Sequence, residues 1–275
     1  AINLTRGLTG ASCLAEHFHD GLTVVDMGIA LPYTCPEILN RSLGKGTENI
    51  AAGPAMPRQS AVQGILTGME LAAQAKRDGI QILGVGEMGI GNTTTSSAVL
   101  CALSGEPVEA VTGRGGGLTD AAFLEKKQVI ERALAVNAPD ANDPIDVLHK
   151  VGGFDLCAMT GVFLGAAHAR LPVVVDGFIS IVAALCAARL CENAQGFLIG
   201  SHVSYERGYK AAERLLDLKP CLQLGMRLGE GSGCPLAFRV VEAACAVMNT
   251  MATFPEAAID DEYLTDIRAK DSFTV

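Results

Sequence analysis

Apolar residues recur along this chain in two rhythms. Short β-branched runs predict strands at Leu22–Asp26 (LTVVD), Ile80–Val85 (IQILGV) and Pro172–Asp176 (PVVVD), with further candidates at Phe197–Gly200 and Cys221–Leu224. Between them, helical spacing predicts an α-helix over 58–77, whose apolar positions are Val62, Ile65, Leu66, Met69, Leu71 and Ala72. A second helix is expected from Thr93 onward, with Val99, Ala102 and Leu103 on its apolar side, and a third over 118–135. Asp143-Pro144 reads as an N-cap followed by proline in the first helical position, and a long Ala-rich helix follows the turn at Gly177. Such alternation predicts an α/β fold with a parallel sheet and helices on both faces. Ligands of such sheets bind beyond the carboxyl ends of the strands. Four of the strands end in Asp26, Gly86-Glu87, Asp176-Gly177 and Gly200-Ser201, so the rim is located before any motif is invoked.

Composition refines the picture. Of 275 residues, 49% are apolar but only 5% aromatic, and Trp is absent, so the core is built from Ala, Leu and Val with elements closely approached. A formal charge of −9 argues against a nucleic acid or an anionic membrane as partner, and a phosphate would have to be held by local donors. The nine cysteines show no CxxC pair and no ligand spacing with histidine, which predicts reduced core thiols of a cytoplasmic protein and no metal site. The most membrane-like stretch, 171–190, is broken by Asp176 and Gly177 and bordered by Arg170 and Arg189, against a spanning helix. No signal peptide is visible, although the chain opens at Ala1.

The candidate chemistry lies in three glycine-rich loops. Gly86-Glu87-Met88-Gly89-Ile90-Gly91-Asn92-Thr93-Thr94 joins a strand to a helix, and its glycines let the backbone approach a ligand. The helix start adds N–H groups and a positive dipole end that favour phosphate. Gly86, Gly91 and Thr93 stand at P-loop spacing, but Asn92 occupies the lysine's place, which disfavours a triphosphate and an NTPase and points to a monophosphate. The alternative is a purely structural turn. A second loop, Thr112-Gly113-Arg114-Gly115-Gly116-Gly117, precedes a helix carrying Lys126 and Lys127, which serve the anion or are solvated surface charges.

In the third, Leu228-Gly229-Glu230-Gly231-Ser232-Gly233, one carboxylate stands among glycines. Leu228, Cys234, Pro235 and Leu236 would make its surroundings apolar, and desolvation would suit it to general-base work. The alternative is a carboxylate that complements the dipole of the helix following it. Asp26 and Asp176 are open to ribose hydroxyls or to turn capping. Ser201-His202-Val203-Ser204-Tyr205-Glu206 lines the rim, but His202 has no Ser/Asp partner at triad spacing. His17, His19, His149 and His168 read as ordinary surface or packed residues.

In this order the segments resemble the nicotinate-nucleotide:dimethylbenzimidazole phosphoribosyltransferases of cobalamin lower-ligand assembly. The matching runs are VVDMG at 24–28, KGTENIAAGPAM at 45–56, GEMGIGNTT at 86–94, TGRGGGL at 112–118 with Lys126, DGF at 176–178, SHVSYE at 201–206 and RLGEGSG at 227–233. The resemblance implies a Rossmann-like large domain at 21–240 and a small helical domain to which 1–20 and 241–275 contribute, in a homodimer. It implies that Glu87, Met88, Gly89, Ile90, Gly91, Asn92, Thr93, Gly115, Lys126, Asp176, Ser204 and Leu228 bind substrate. Glu230 takes the proton from the incoming azole nitrogen, and no metal or redox cofactor is needed. Substrates would be nicotinate mononucleotide and dimethylbenzimidazole or a similar base, and products α-ribazole 5′-phosphate and nicotinate. Members usually carry several dozen residues before the AIN run seen at 1–3, and that segment helps form the acceptor pocket. Pro57 stands where threonine is common. A non-catalytic relative that binds nicotinate mononucleotide is the other reading.

Overall fold

The computed structural model describes residues 1–260, 264 and 265. In chain order the elements are α1 (Ile2–Thr5), α2 (Gly10–Phe18), β1 (Val24–Asp26), β2 (Ile38–Asn40), α3 (Arg58–Arg77), β3 (Leu83–Val85), α4 (Asn92–Ser104), α5 (Val108–Val111), α6 (Asp120–Asn137), α7 (Pro144–Val151), α8 (Phe154–His168), β4 (Val173–Val175), α9 (Phe178–Leu190), β5 (Leu198–Gly200), α10 (Tyr209–Leu216) and α11 (Gly233–Thr250). The chain divides into a first unit, Ala1–Phe238, and a second, Arg239–Val275, so residues 1–20 group with the first. In the second, Arg239 pairs with Glu242 (3.0 Å) on helix α11, which ends at Thr250. The rest of the expected 241–275 segment beyond 260, apart from 264 and 265, lies outside the described residues.

The expected α/β class holds, with every strand pairing parallel. The single sheet does not form. β3, β4 and β5 make one sheet in that order, while β1 pairs with β2 in another. β2 escaped notice because its three residues follow Pro32 and Pro36 and carry no readable alternation. The expected strand at 221–224 is absent too. Pro220 before it and Gly225 (φ +64°) after it leave a lone bridge between Leu222 and His202.

The central strand β4 shows why the sheet is covered on both faces. Val173 and Val175 join the main core, whereas Val174, pointing the other way, packs with Cys234 and Ala237 at the start of α11. The main core also contains Leu100, Leu148, Leu156, Phe163, Ile181 and Leu185, all buried. Helix α3 falls on its expected bounds, and of its expected apolar positions Ile65 and Ala72 are buried and Met69 packs on the core, but the rest of the buried face is small residues, Ala61, Gly64, Thr67 and Gly68, and Leu66 faces outward. The buried face meets α8 almost backbone to backbone. A Cβ on Gly68 would lie 1.9 Å from the Ala158 carbonyl oxygen, and one on Gly161 1.9 Å from that of Ile65. The thiols follow expectation only in part. Cys101, Cys157, Cys186 and Cys234 are buried, Cys35 is half-buried, and Cys13, Cys191, Cys221 and Cys245 are exposed because their positions lie at helix ends, in loops or on an outward face. Among the described residues, no helix is long and apolar enough to cross a membrane.

Candidate active site at the strand ends

Parallel register brings the ends of β3, β4 and β5 to one edge, with Asp176 after the middle strand. The Asp176 side chain is turned inward, 2% exposed. Its Oδ2 accepts from Gly231 N (3.0 Å) and its Oδ1 from Gly233 N (2.7 Å), so it ties the 229–233 loop to the sheet. Burial pushes its carboxyl up to about 6 against the pull of the backbone N–H groups, and the Glu230 charge adds to the rise. Ser201 Oγ donates to the Asp176 carbonyl (3.1 Å) and lies 3.0 Å from His202 Nδ1. Ser180 Oγ donates to the Val85 carbonyl (3.1 Å) and accepts from Asp176 N (3.2 Å), locking β3 to β4 at this edge. Asp26 stands on the other sheet. There it caps its own turn, accepting from Gly28 N (2.8 Å), Ile29 N (2.7 Å) and Tyr33 Oη (2.8 Å).

The loop held by Asp176 is backbone-strained at one residue. Gly229 (φ +81°), Glu230 (φ +66°) and Gly231 (φ +86°) are successive left-handed positions, and glutamate seldom adopts that region. The conformation is over-determined. Glu230 N donates to the Glu87 carbonyl (3.1 Å), and Gly86 presses on the same backbone, where a Cβ would stand 2.2 Å from Gly231 N. The Glu230 carboxylate does not cap its own helix. Its Oε2 accepts from Ala11 N (3.1 Å), in the first turn of α2, and Leu228 folds over Gly10 beside it. The apolar enclosure expected of Cys234 and Pro235 is not provided. Both are buried, with Cys234 packed on the sheet, so Glu230 is half-buried and Leu228 is exposed.

The 86–94 loop turns at Gly91 (φ +85°), the N-cap of α4, which begins at Asn92. Asn92 Nδ2 donates to Glu87 Oε2 and to Asp155 Oδ2 (2.8 Å), so the residue that replaces a P-loop lysine holds two carboxylates. Gly89 N donates to the same Glu87 oxygen (3.2 Å). Burial pushes the Glu87 carboxyl up to about 7, opposed by the Asn92 hydrogen bond and reinforced by the charges of Asp155 and Asp176. Met88 and Ile90 are exposed apolar residues on this loop.

The neighbouring residue, Thr93, leads to the site's cation. Lys126, 6% exposed, donates to Thr93 Oγ1 (2.9 Å) and to the Gly113 carbonyl (2.8 Å), which rules out a solvated surface charge. Burial lowers its pKa and the Glu206 charge acts the other way. Gly115 (φ +56°) lies against Thr93 and Gly113 against Glu206, where a Cβ would meet side-chain oxygens at 2.7 and 1.7 Å respectively. Ser204 is buried nearby in sequence and accepts from Glu206 N (3.4 Å). Lys127 is elsewhere, paired with Glu109 (2.7 Å) and stacked over Phe123.

The structure thus ties Glu87, Asn92, Thr93, Lys126, Asp176 and Glu230 into one rim of linked loops. Glu206 belongs to the 201–206 run expected at the rim, whereas Asp155 and the start of α2 were not among the expected site residues. Asp155 had a signal: Gly152-Gly153 immediately before an apolar run, with an acid in the first turn. Of two cavities of about 460 and 320 Å³, the first, beside Tyr33 and Lys45, is lined by Asp26 but by none of the rim residues, and the second, beside Glu16 and Glu37, by no candidate residue. Chemically, the rim combines one buried cation and a helix N-terminus, which suit a phosphate, with two carboxylates, Glu87 and Glu230, brought together by their loops.

The chain is similar to known proteins along most of its length. A phosphoribosyltransferase family model matches residues 1–259. The nicotinate-nucleotide–dimethylbenzimidazole phosphoribosyltransferase of Clostridium perfringens is 49% identical over 273 residues, covering 99% of this chain and 76% of that protein. The enzyme of the same name from Clostridium tetani is 47% identical over 98% of this chain and 75% of that protein. Among solved structures, CobT from Thermus thermophilus superposes with a TM-score of 0.90 at 37% identity, covering 94% of this chain and 78% of that one.

Proposed function

The chain belongs to the nicotinate-nucleotide–dimethylbenzimidazole phosphoribosyltransferase family, and we propose that its own reaction proceeds on the rim just described. It moves the 5-phosphoribosyl group from nicotinate mononucleotide to 5,6-dimethylbenzimidazole or a similar base, giving α-ribazole 5′-phosphate and nicotinate. The observation that carries this reading is the joining of the Lys126 anion seat and the Glu230 loop through residues 86–93.

In this reading Lys126 and the start of α4 hold the donor phosphate, and residues 87–93, Gly115 and Ser204 line its seat. Departure of a pyridinium as a neutral ring needs no general acid, and positive charge spreads onto the ribosyl ring as in glycoside hydrolysis. An ionised Glu87 favours that charge. Glu230 accepts the azole proton as the nitrogen attacks the anomeric carbon, while Leu228 offers apolar surface to the acceptor ring. Strain at Glu230 serves orientation, which Asp176 maintains by holding Gly231 and Gly233. A homodimer in the cytoplasm belongs to the same proposal, supported by the family resemblance.

The test is direct. Incubation with nicotinate mononucleotide and dimethylbenzimidazole, adenine or a phenol in turn should release nicotinate with at least one acceptor. Tight binding of the nucleotide with no release for any of them would favour a non-catalytic binder instead.

A further inference from the structure

The reading above uses the cluster of Glu87, Asn92 and Asp155 only through Glu87. Yet the cluster is chemically closed. An amide nitrogen carries two hydrogens and no free lone pair, and both hydrogens of Asn92 Nδ2 go to carboxylates, one on Glu87 and one on Asp155. This fixes which way the Asn92 amide faces, because its oxygen could donate to neither. Asp155, in the first turn of α8, is held in turn. Its Oδ1 accepts from Leu156 N (2.9 Å) and packs on Gly153, where a Cβ would come within 2.5 Å.

We propose that Asp155 is a positioning residue of the donor site: through the shared amide of Asn92 it fixes where the Glu87 carboxylate stands. The inference rests on the phosphoribosyl-transfer reading for its consequence, though not for its geometry. Both Asp155 oxygens accept, one from Asn92 and one from Leu156 N, and its charge is among those that raise Glu87.

The groups facing the Glu87 carboxylate are Asp155 from α8, Asp176 from the end of β4, the Asn92 amide from α4, Gly89 N and Gly229 of the Glu230 loop, whose Cβ would stand 3.0 Å from Glu87 Oε1. Burial dominates the rise of the Glu87 carboxyl to about 7, and of the two neighbouring charges Asp155 acts more strongly than Asp176. Burial raises Asp155 as well. With the Asp155 charge removed, Glu87 should ionise at lower pH.

Two variants separate charge from contact. Asp155→Asn keeps an acceptor for Asn92 but removes the charge, and Asp155→Ala removes both. The readout is the carboxyl ¹³C titration of Glu87 in the whole chain, labelled at glutamate and assigned by loss of the signal in Glu87→Gln. Its midpoint, about 7 in the unaltered chain, should fall by about one unit in Asp155→Asn, the scale on which a nearby like charge acts. The acid limb of kcat/KM should move with it, and Asp155→Ala should raise the donor KM about tenfold. Should these variants fail to fold, Asp155→Ser removes the same charge with a small polar side chain suited to the first turn of a helix, and should lower the Glu87 midpoint in the same direction. An unchanged midpoint in every folded variant overturns the proposal. If the midpoint moves but no acceptor yields nicotinate, the transferase reading fails and the Asp155 linkage stands.

Discussion

The α3–α8 contact and the candidate rim both depend on glycine, for opposite ends. At the helix pair, Gly68 and Gly161 let two backbones meet in an apolar, regular environment where nothing is strained. At the rim, Gly86 lets one loop press upon another, and the loop so pressed carries a left-handed glutamate flanked by two left-handed glycines. The first arrangement is stabilised by every contact it makes. The second concentrates costs, with carboxylates half-buried at 87 and 155 and buried at 176, and backbone strain at Glu230. Such costs survive where function needs the geometry.

Substitutions should therefore separate the two regions cleanly. The largest effect is expected from Glu230→Gln, which keeps shape and removes the base. kcat should fall by about 10²–10⁴, with the thermal midpoint nearly unchanged, as measured by nicotinate release and calorimetry. Full activity in this variant would remove Glu230 from the mechanism. Lys126→Met should raise the donor KM by about 10–100-fold, the worth of a charge-assisted hydrogen bond. Lys127→Met, one residue away but paired at the surface with Glu109, should alter KM by less than about twofold.

Gly161→Ala reverses the pattern. Overpacking should cost about 1–3 kcal/mol or more, read as a lower denaturation midpoint, with donor KM unaltered in the folded fraction. A change in KM without a change in stability would erase the distinction between the regions.

The two regions also differed in how far the sequence disclosed them. Helix α3 was readable to its ends from its spacing, and its buried face at Ile65 and Ala72, but not at Gly64 and Gly68, which carry no apolar signal and are explained only by the approach of α8. The strands were readable where β-branched runs were flanked by glycine or acid. β2 was not, being three residues of ambiguous pattern, and 221–224 misled because its flanking Pro220 and Gly225 outweigh its composition. At the rim, the loops announced themselves through glycine spacing, and Asn92 told against a triphosphate. What spacing could not reveal was long-range pairing. That the Glu230 carboxylate meets the start of α2, and that Asn92 joins Glu87 to Asp155, are contacts across 219 and 63 residues of chain.

The central claim is that one linked rim holds the donor phosphate at Lys126 and presents the anomeric carbon to Glu230. The most direct measurement is a crystal structure with nicotinate mononucleotide bound to the Glu230→Gln variant. The account predicts phosphate oxygens within hydrogen-bonding distance of Lys126 Nζ, and the ribose between the 86–94 loop and residue 230. A nucleotide seated instead in the cavity beside Tyr33 and Lys45, with Lys126 still bonded only to Thr93 and Gly113, would contradict it.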